Sequence, residues 1–320
     1  MLSKDFLNSR LCSSHISIDL PGLGNKISGK VRDCYVLGNK RVLISSDRLS
    51  AFDVVLSTIP GKGKLLNDLT DYWFKKTAHI IPNHILKRPH PNVFIARELN
   101  IVPIEVVVRG YLAGGGWREY QSTGTVSGVR LKSGLKKYEK LDSPIITPST
   151  KEAHGAHDKP VSRDEILKWG ILEESLWIEI EKAALSLYSF AHELTLKQGL
   201  LFMDTKYEFG ILHSENDPPK LLLADEIHTQ DSSRYAISDS YESRMGRGEE
   251  VELLDKEFLR VWLISQGWQG EGKPPVLQPE LRVEIAQTYI RAFEKITGET
   301  FSFSDEPIVE STIIDSISGL

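Results

Sequence analysis

The sequence predicts an α+β fold with antiparallel strand pairing, and three features carry that reading. Residues 200–234, LLFMDTKYEFGILHSENDPPKLLLADEIHTQDSSR, set two apolar runs around a turn-rich break, the pattern of a hairpin with a longer loop. Residues 30–47 form a second strand pair, turned at Gly38 and Asn39. Long apolar-striped segments at 174–198 and 279–297 supply helices, followed by Gly199 and Gly298 as natural stops.

Composition narrows the function. A chain of 320 residues has room for two lobes or one large domain, and 40% hydrophobic with 26% charged residues is ordinary for a globular protein. A net charge of −5 without a long basic block argues against a nucleic-acid surface. Cys12 and Cys34 are too few for a disulfide framework or a zinc site, which fits a reducing compartment. The first residues, with Lys4, Asp5, Arg10 and Asp19, lack a signal-peptide core, and no stretch approaches the roughly 18 apolar residues of a membrane span. The expected location is cytoplasmic, with no membrane partner.

In chain order, Gly22, Gly24 and Gly29 free the backbone for close approach to a ligand, and Lys30 and Arg32 then fall two apart on one strand face, a placement suited to phosphates. The pattern is neither the Walker loop nor the dinucleotide fingerprint, and a plain hairpin with exposed cations explains it too. Asp47, Arg48, Ser50 and Asp53 follow, then a tight loop at 60–64 and a helix expected from near Leu66 to before Pro82, its Trp73 and Tyr72 in the core. In IVPIEVVVRGYLAGGGWREY, residues 101–120, Ile104, Val106 and Val108 alternate with Glu105, Val107 and Arg109, so a buried strand delivers Arg109 at its end. Gly114, Gly115 and Gly116 then open a bend before a short helix with Trp117 and Tyr120. An arginine beside bare amides suits a carboxylate or phosphate; a structural pair with Glu119 or a carbonyl is the alternative.

Residues 146–160, ITPSTKEAHGAHDKP, are too polar and irregular for an element and read as a functional loop holding Lys151, His154, His157 and Asp158. No third ligand stands at a zinc spacing, so solvated histidines are preferred. The helix at 255–266, DKEFLRVWLISQ, carries Arg260, a position where solvation is the common state.

The chemistry concentrates on residues 200–226. Asp204, Lys206 and Glu208 share one strand face, while Met203, Thr205, Tyr207, Phe209 and Ile211 share the other. Pairing Leu212 with Leu221 sets Glu208 opposite Asp225, so two carboxylates converge beside a lysine. Like charges so placed repel, and a cation between them relieves the repulsion; hard oxygen ligands suit Mg²⁺. A solvated face is the plainer alternative, weakened by the apolar run 221–224, which reads as buried on both faces.

Two motifs, VPIEVVVRGYLAGG at 102–115 and LFMDTKYEFG at 201–210, closely resemble the SAICAR synthetase (phosphoribosylaminoimidazole-succinocarboxamide synthase) family. GKVRDCY at 29–35, SDRLSAFD at 46–53, TPSTKEAHGAHD at 147–158, DSSR at 231–234 and DKEFLR at 255–260 support them in the same order. The resemblance implies a two-lobed, kinase-like α+β fold with ATP in the interlobe cleft: an N-terminal β-rich nucleotide-cradling lobe, residues 1–102, and a substrate and metal lobe, residues 103–320, with a helical extension at about 250–320. It implies a carbon–nitrogen ligase of purine biosynthesis that joins L-aspartate to carboxyaminoimidazole ribonucleotide through an acyl phosphate, using ATP and Mg²⁺.

By the same resemblance, Lys206 and Asp204 are catalytic; Gly29, Lys30, Arg32, Ile101 and Glu105 contact ATP; Arg109, Gly115, Lys151, Ser233, Arg234 and Arg260 hold the imidazole nucleotide; and Glu208 and Asp225 bind the metal. The partners implied are these small molecules, in a monomer or small homo-oligomer. Three positions depart from the family pattern: Gly115 stands where Ser is common, Gln230 where a proline is expected, and His228 where an apolar residue is usual. A small-molecule kinase and a non-catalytic nucleotide-binding regulator are the competing readings; joint retention of Lys206, Glu208 and Asp225 speaks against the regulator.

Overall fold

The computed structural model describes residues 2–151, 159–214, 217–304 and 309–317. Two compact units result: Met1–Tyr72, His84–Glu98 and Leu254–Leu320 form the first, and Trp73–Asn83 with Leu99–Leu253 form the second.

The first unit opens with α1 (Lys4–Ser9), β1 (Lys26–Ser28), β2 (Arg32–Leu37), β3 (Lys40–Ser45), the hairpin β4 (Arg48–Ala51) and β5 (Val54–Thr58), then α2 (Lys62–Thr77), whose last turn from Trp73 counts with the second unit, β6 (Ile85–His90) and β7 (Val93–Arg97). Five strands make one antiparallel sheet in the order β1-β2-β3-β7-β6. The Gly38 turn is as expected, with φ +59°. Helix α2 starts at Lys62, four residues before the position expected from apolar spacing, because a remote carboxylate organises the loop: Gly63 N–H donates to Asp47 Oδ1 at 2.9 Å. That help from sequence-distant Asp47 leaves no local mark.

The second unit continues with β8 (Asn100–Ile101), β9 (Ile104–Tyr111), α3 (Gly114–Thr123), the small hairpin β10 (Thr125–Val126) and β11 (Val129–Arg130), β12 (Lys140–Ile146), β13 (Ser149–Thr150), α4 (Arg163–Lys168), α5 (Glu174–Lys197), β14 (Leu200–Leu212), β15 (Lys220–Ala224), β16 (Ser233–Ile237) and α6 (Ser238–Arg247). Its sheet runs β12-β9-β14-β15, with β13 on β9 and with β8 and β16 on β14. Strand β14, 13 residues long, is the axis. Helix α5 braces it: Trp177, Ile180, Leu187, Tyr188 and Ala191 are buried, and Tyr188 Oη donates to the Phe202 carbonyl at 2.7 Å. Gly110 on β9 makes room for that tyrosine, since a Cβ there would lie 1.9 Å from its hydroxyl.

The chain then closes with α7 (Glu257–Ser265), α8 (Pro279–Thr297) and α9 (Glu310–Ile317). These group with the first unit, whereas the sequence division placed the extension with the second lobe. The cause is apolar burial: Ile313 and Ile317 of α9 join Ile18, Tyr35, Val42, Ile44, Val93 and Ile95 in one core, and Arg282 of α8 donates to the Thr58 carbonyl at 2.7 Å.

Candidate active site

β14 carries two charge clusters, both within the second unit. At its N-terminal half, Asp204 pairs across the sheet with Arg109 of β9 on one side and Arg234 of β16 on the other. Laterally opposed residues share a face, so one carboxylate sits between two guanidinium groups. Arg109 Nη1 donates to Asp204 Oδ2 at 2.9 Å, and Arg234 Nη1 donates to Oδ2 at 2.8 Å and Oδ1 at 3.1 Å. A register shift between Phe202 and Asp204 brings Arg234 alongside. Asp204 is buried at 3% exposure. Burial pulls Arg109 below its usual pKa despite Asp204, and Arg109 Nε donates to Thr147 Oγ1 at 2.9 Å.

The start of α3 is shaped to these arginines. At Gly114, φ is +52° and a Cβ would stand 2.3 Å from Arg234 Nη2; at Gly116 it would meet Arg109 Cδ at 3.0 Å. Gly115 is different, since its Cβ would meet only Arg118 Nη2 at 3.8 Å. A serine fits there.

Two residues further along the face lies the second cluster. Lys206 Nζ donates to Glu105 Oε1 at 2.5 Å and is 3.7 Å from Glu208 Oε1, while Lys151 Nζ holds Glu208 Oε2. Burial works against the Lys206 ammonium, but the charges of Glu105, Glu208 and Asp225 more than offset it and hold its pKa above the usual lysine value.

The expected strand register is corrected by one residue. Leu212 pairs with Lys220 and Glu208 with Ala224, so Asp225 is not directly opposite Glu208. β15 ends at Ala224, and Asp225 takes a left-handed conformation at φ +58°, which breaks the strand alternation. Its charge still acts on Lys206.

Other expected residues fall as follows. Lys30 and Arg32 do not share an exposed face: Lys30 precedes β2 and pairs with Asp53, while Arg32 is buried at 9% and donates to Ser45 Oγ at 3.3 Å. Gly29 N–H donates to the Arg32 carbonyl at 2.7 Å, making a tight turn that Arg48 holds through the Gly29 and Lys30 carbonyls. Ile101 pairs with Gly210 of β14 and is 37% exposed. Ser233 Oγ donates to Thr205 Oγ1 at 2.8 Å. Arg260 bonds Glu257 at 2.8 Å and belongs to the first unit, whereas Arg109 and Arg234 belong to the second. His154, His157 and Asp158 lie outside the described residues.

The sequence reading missed the Glu105–Lys206 pair and the Thr147 contact. Glu105 and Arg109 stand four apart on one face of β9, as Asp204 and Glu208 do on β14, and laying the two strands antiparallel would have matched Arg109 to Asp204. His228 was noted only as a departure; it is fully buried against Tyr207 and Trp73.

Among the described residues no group of three or more His, Cys, Asp or Glu side chains is arranged for a metal. Mg²⁺ that arrives on nucleotide phosphates needs one or two carboxylates, and Glu208 with Asp225 is a donor set of that chemistry. No helix among the described residues is long and apolar enough to cross a membrane.

An α+β protein that flanks Asp204 of one strand with arginines from its two neighbours, and sets a carboxylate–lysine cluster two residues along, has charge groups suited to an enzyme of anionic substrates. The SAICAR synthetase family model matches residues 25–275. A phosphoribosylaminoimidazole-succinocarboxamide synthase from Cytophaga hutchinsonii is 44% identical over 303 residues, covering 93% of this chain and 96% of that protein. The Legionella pneumophila (strain Paris) protein of the same name is 43% identical over 291 residues, covering 89% of this chain and 91% of its own. The solved structure of the SAICAR synthase from Saccharomyces cerevisiae complexed with SAICAR matches with a TM-score of 0.78 at 30% identity, covering 91% of this chain and 100% of that one. The chain belongs to the SAICAR synthetase family.

Proposed function

We propose that this protein is an ATP-dependent ligase that joins L-aspartate to the carboxylate of carboxyaminoimidazole ribonucleotide, giving SAICAR, ADP and phosphate. Adjacent clusters of opposite appetite on β14 carry the reading. A carboxylate is a poor acceptor for an amine until one of its oxygens is phosphorylated. The γ-phosphoryl group moves from ATP to that oxygen, releasing ADP; the aspartate amine then attacks the acyl carbon, loses a proton, and phosphate leaves with the carboxylate oxygen. No protein nucleophile is required, and positioning with charge neutralisation does the catalysis.

The roles follow from charge. Arg109 and Arg234, both set in place by Asp204, would receive the phosphate or carboxylate of the imidazole nucleotide in bidentate fashion. Asp204 itself is a positioning residue, since its carboxylate is engaged by both arginines. Lys206, whose raised pKa keeps it charged, stands where the transferring phosphoryl group gains negative charge. Glu208 and Asp225 would hold Mg²⁺, which neutralises the nucleotide phosphates when bound, and Lys151 would turn from Glu208 to substrate as they do. Ser233 and the Gly115 N–H line the nucleotide substrate. In this reading Gly29, Lys30 and Arg32 would meet the ATP phosphates, Ile101 and Glu105 would border the adenine, Arg260 would meet the nucleotide substrate, and the chain up to residue 102 would be the nucleotide-cradling part.

A coupled assay with each substrate withheld in turn tests this. Phosphate release is expected only with ATP, L-aspartate and the imidazole nucleotide together. A stable phosphorylated product formed without aspartate would mark a kinase instead.

A further inference from the structure

The turn that follows β15 brings the chain round to the acidic cluster. Two of its residues, Asp225 at φ +58° and His228 at φ +54°, hold left-handed conformations without being glycine. Such residues persist where their surroundings over-determine them. Here the surroundings converge on His228. Its ring is wholly buried and meets Trp73, Phe202 and Tyr207 edge-to-face at centroid distances of 4.7, 4.9 and 5.4 Å. Nε2 lies 2.6 Å from Tyr207 Oη, and the His228 carbonyl accepts from Tyr235 Oη. Tyr207 sits between Lys206 and Glu208 in β14 and points to the opposite face. The turn is thus fastened, from behind, to the strand that carries the cluster.

The proton positions follow from bookkeeping of partners. Nδ1 of His228 has no hydrogen-bond partner among the described residues. A Tyr207 hydroxyl donating to Nε2 leaves only Nδ1–H unbonded, against aromatic walls that accept it weakly. The reverse arrangement leaves both the hydroxyl proton and the Nδ1 lone pair unmade. Tyr207 is therefore the donor, and His228 the neutral acceptor.

We propose that His228 is a positioning residue that locks the 225–229 turn onto Tyr207 and so sets the Asp225 carboxylate for the metal–nucleotide complex. This rests on the reading of Asp225 as a metal ligand. The full-length protein, His228→Leu, Tyr207→Phe and the double variant form the test. Mn²⁺ binding in the presence of a non-hydrolysable ATP analogue, followed by electron paramagnetic resonance, is expected to weaken about tenfold in His228→Leu. Hydrogen exchange of the 225–231 amides should accelerate in the same variant, while KM for the imidazole nucleotide changes less than about twofold.

The double variant should regain thermal stability lost by His228→Leu, because no hydroxyl is left without a partner, yet keep the weakened Mn²⁺ binding. Recovery of metal binding together with stability, or wild-type binding in His228→Leu, would overturn the proposal. If His228→Leu does not fold, Tyr207→Phe, which breaks the same hydrogen bond and keeps the ring, takes the same metal-binding and exchange measurements and the same criteria. Wild-type protein that binds no Mn²⁺–nucleotide would instead sink the functional reading and this one with it, so the two failures are distinguishable.

Discussion

The two clusters on β14 stand two residues apart on one face, yet they are built to different ends. Asp204 is sealed between Arg109 and Arg234, with side chains 4%, 12% and 15% exposed. Lys206 and Lys151, 35% and 37% exposed, hold Glu105 and Glu208 from a more open position. Arginines surround the acid of the first cluster, whereas acids surround Lys206 in the second. The contrast predicts that the first pairing serves stability and the second serves turnover.

If that contrast is right, removing the central acid of each cluster should have opposite consequences. Asp204→Ala removes the buried carboxylate shared by two largely buried arginines, and chemical denaturation should show a loss of about 3–5 kcal/mol. Glu208→Ala removes a carboxylate that is itself only 12% exposed but whose lysine partners, at 35% and 37%, reach solvent; turnover at saturating substrate should fall by about 10²–10³-fold, with a stability loss smaller than that of Asp204→Ala. Equal stability losses in the two variants would erase the distinction. Arg234→Ala should raise KM for the imidazole nucleotide about tenfold, the worth of a charge-assisted contact, with a smaller change for ATP; equal rises for both would remove its assignment to that substrate.

The smallest effect sharpens the comparison within α3. Gly115→Ser, with open space at the Cβ, should stay within about 0.5 kcal/mol of the parent in thermal unfolding. Gly114→Ala forces a Cβ into Arg234 at a positive φ and should cost about 1–3 kcal/mol. A Gly115→Ser protein as unstable as Gly114→Ala would mean that α3 starts differently from the geometry described.

Much of this was legible because it is periodic. The alternation in β9 and β14 announced the strand faces, the apolar stripe of α5 set that helix to within one residue at its end, and Pro279 with Gly298 bounded α8 to the residue. What escaped depends on sequence-distant partners. No local pattern shows that Asp47 caps α2, that a bulge near Met203 swings Arg234 beside Asp204, or that the hairpin register shifts by one. The register mattered least for function, since the left-handed turn at Asp225 brings its charge back to Lys206, which alternation alone does not foresee. Lys30 and Arg32 were the clearest misplacement: spacing on a strand implies a shared face only once the strand has begun, and β2 begins at Arg32.

Activation of a substrate carboxylate by phosphoryl transfer is the step both clusters are proposed to serve, and the fate of oxygen tests it directly. Imidazole nucleotide carrying ¹⁸O in its carboxylate, turned over with ATP and L-aspartate, should place one labelled oxygen in each phosphate released, read by mass spectrometry. Unlabelled phosphate at full turnover would contradict an acyl phosphate and the division of labour along β14 built on it.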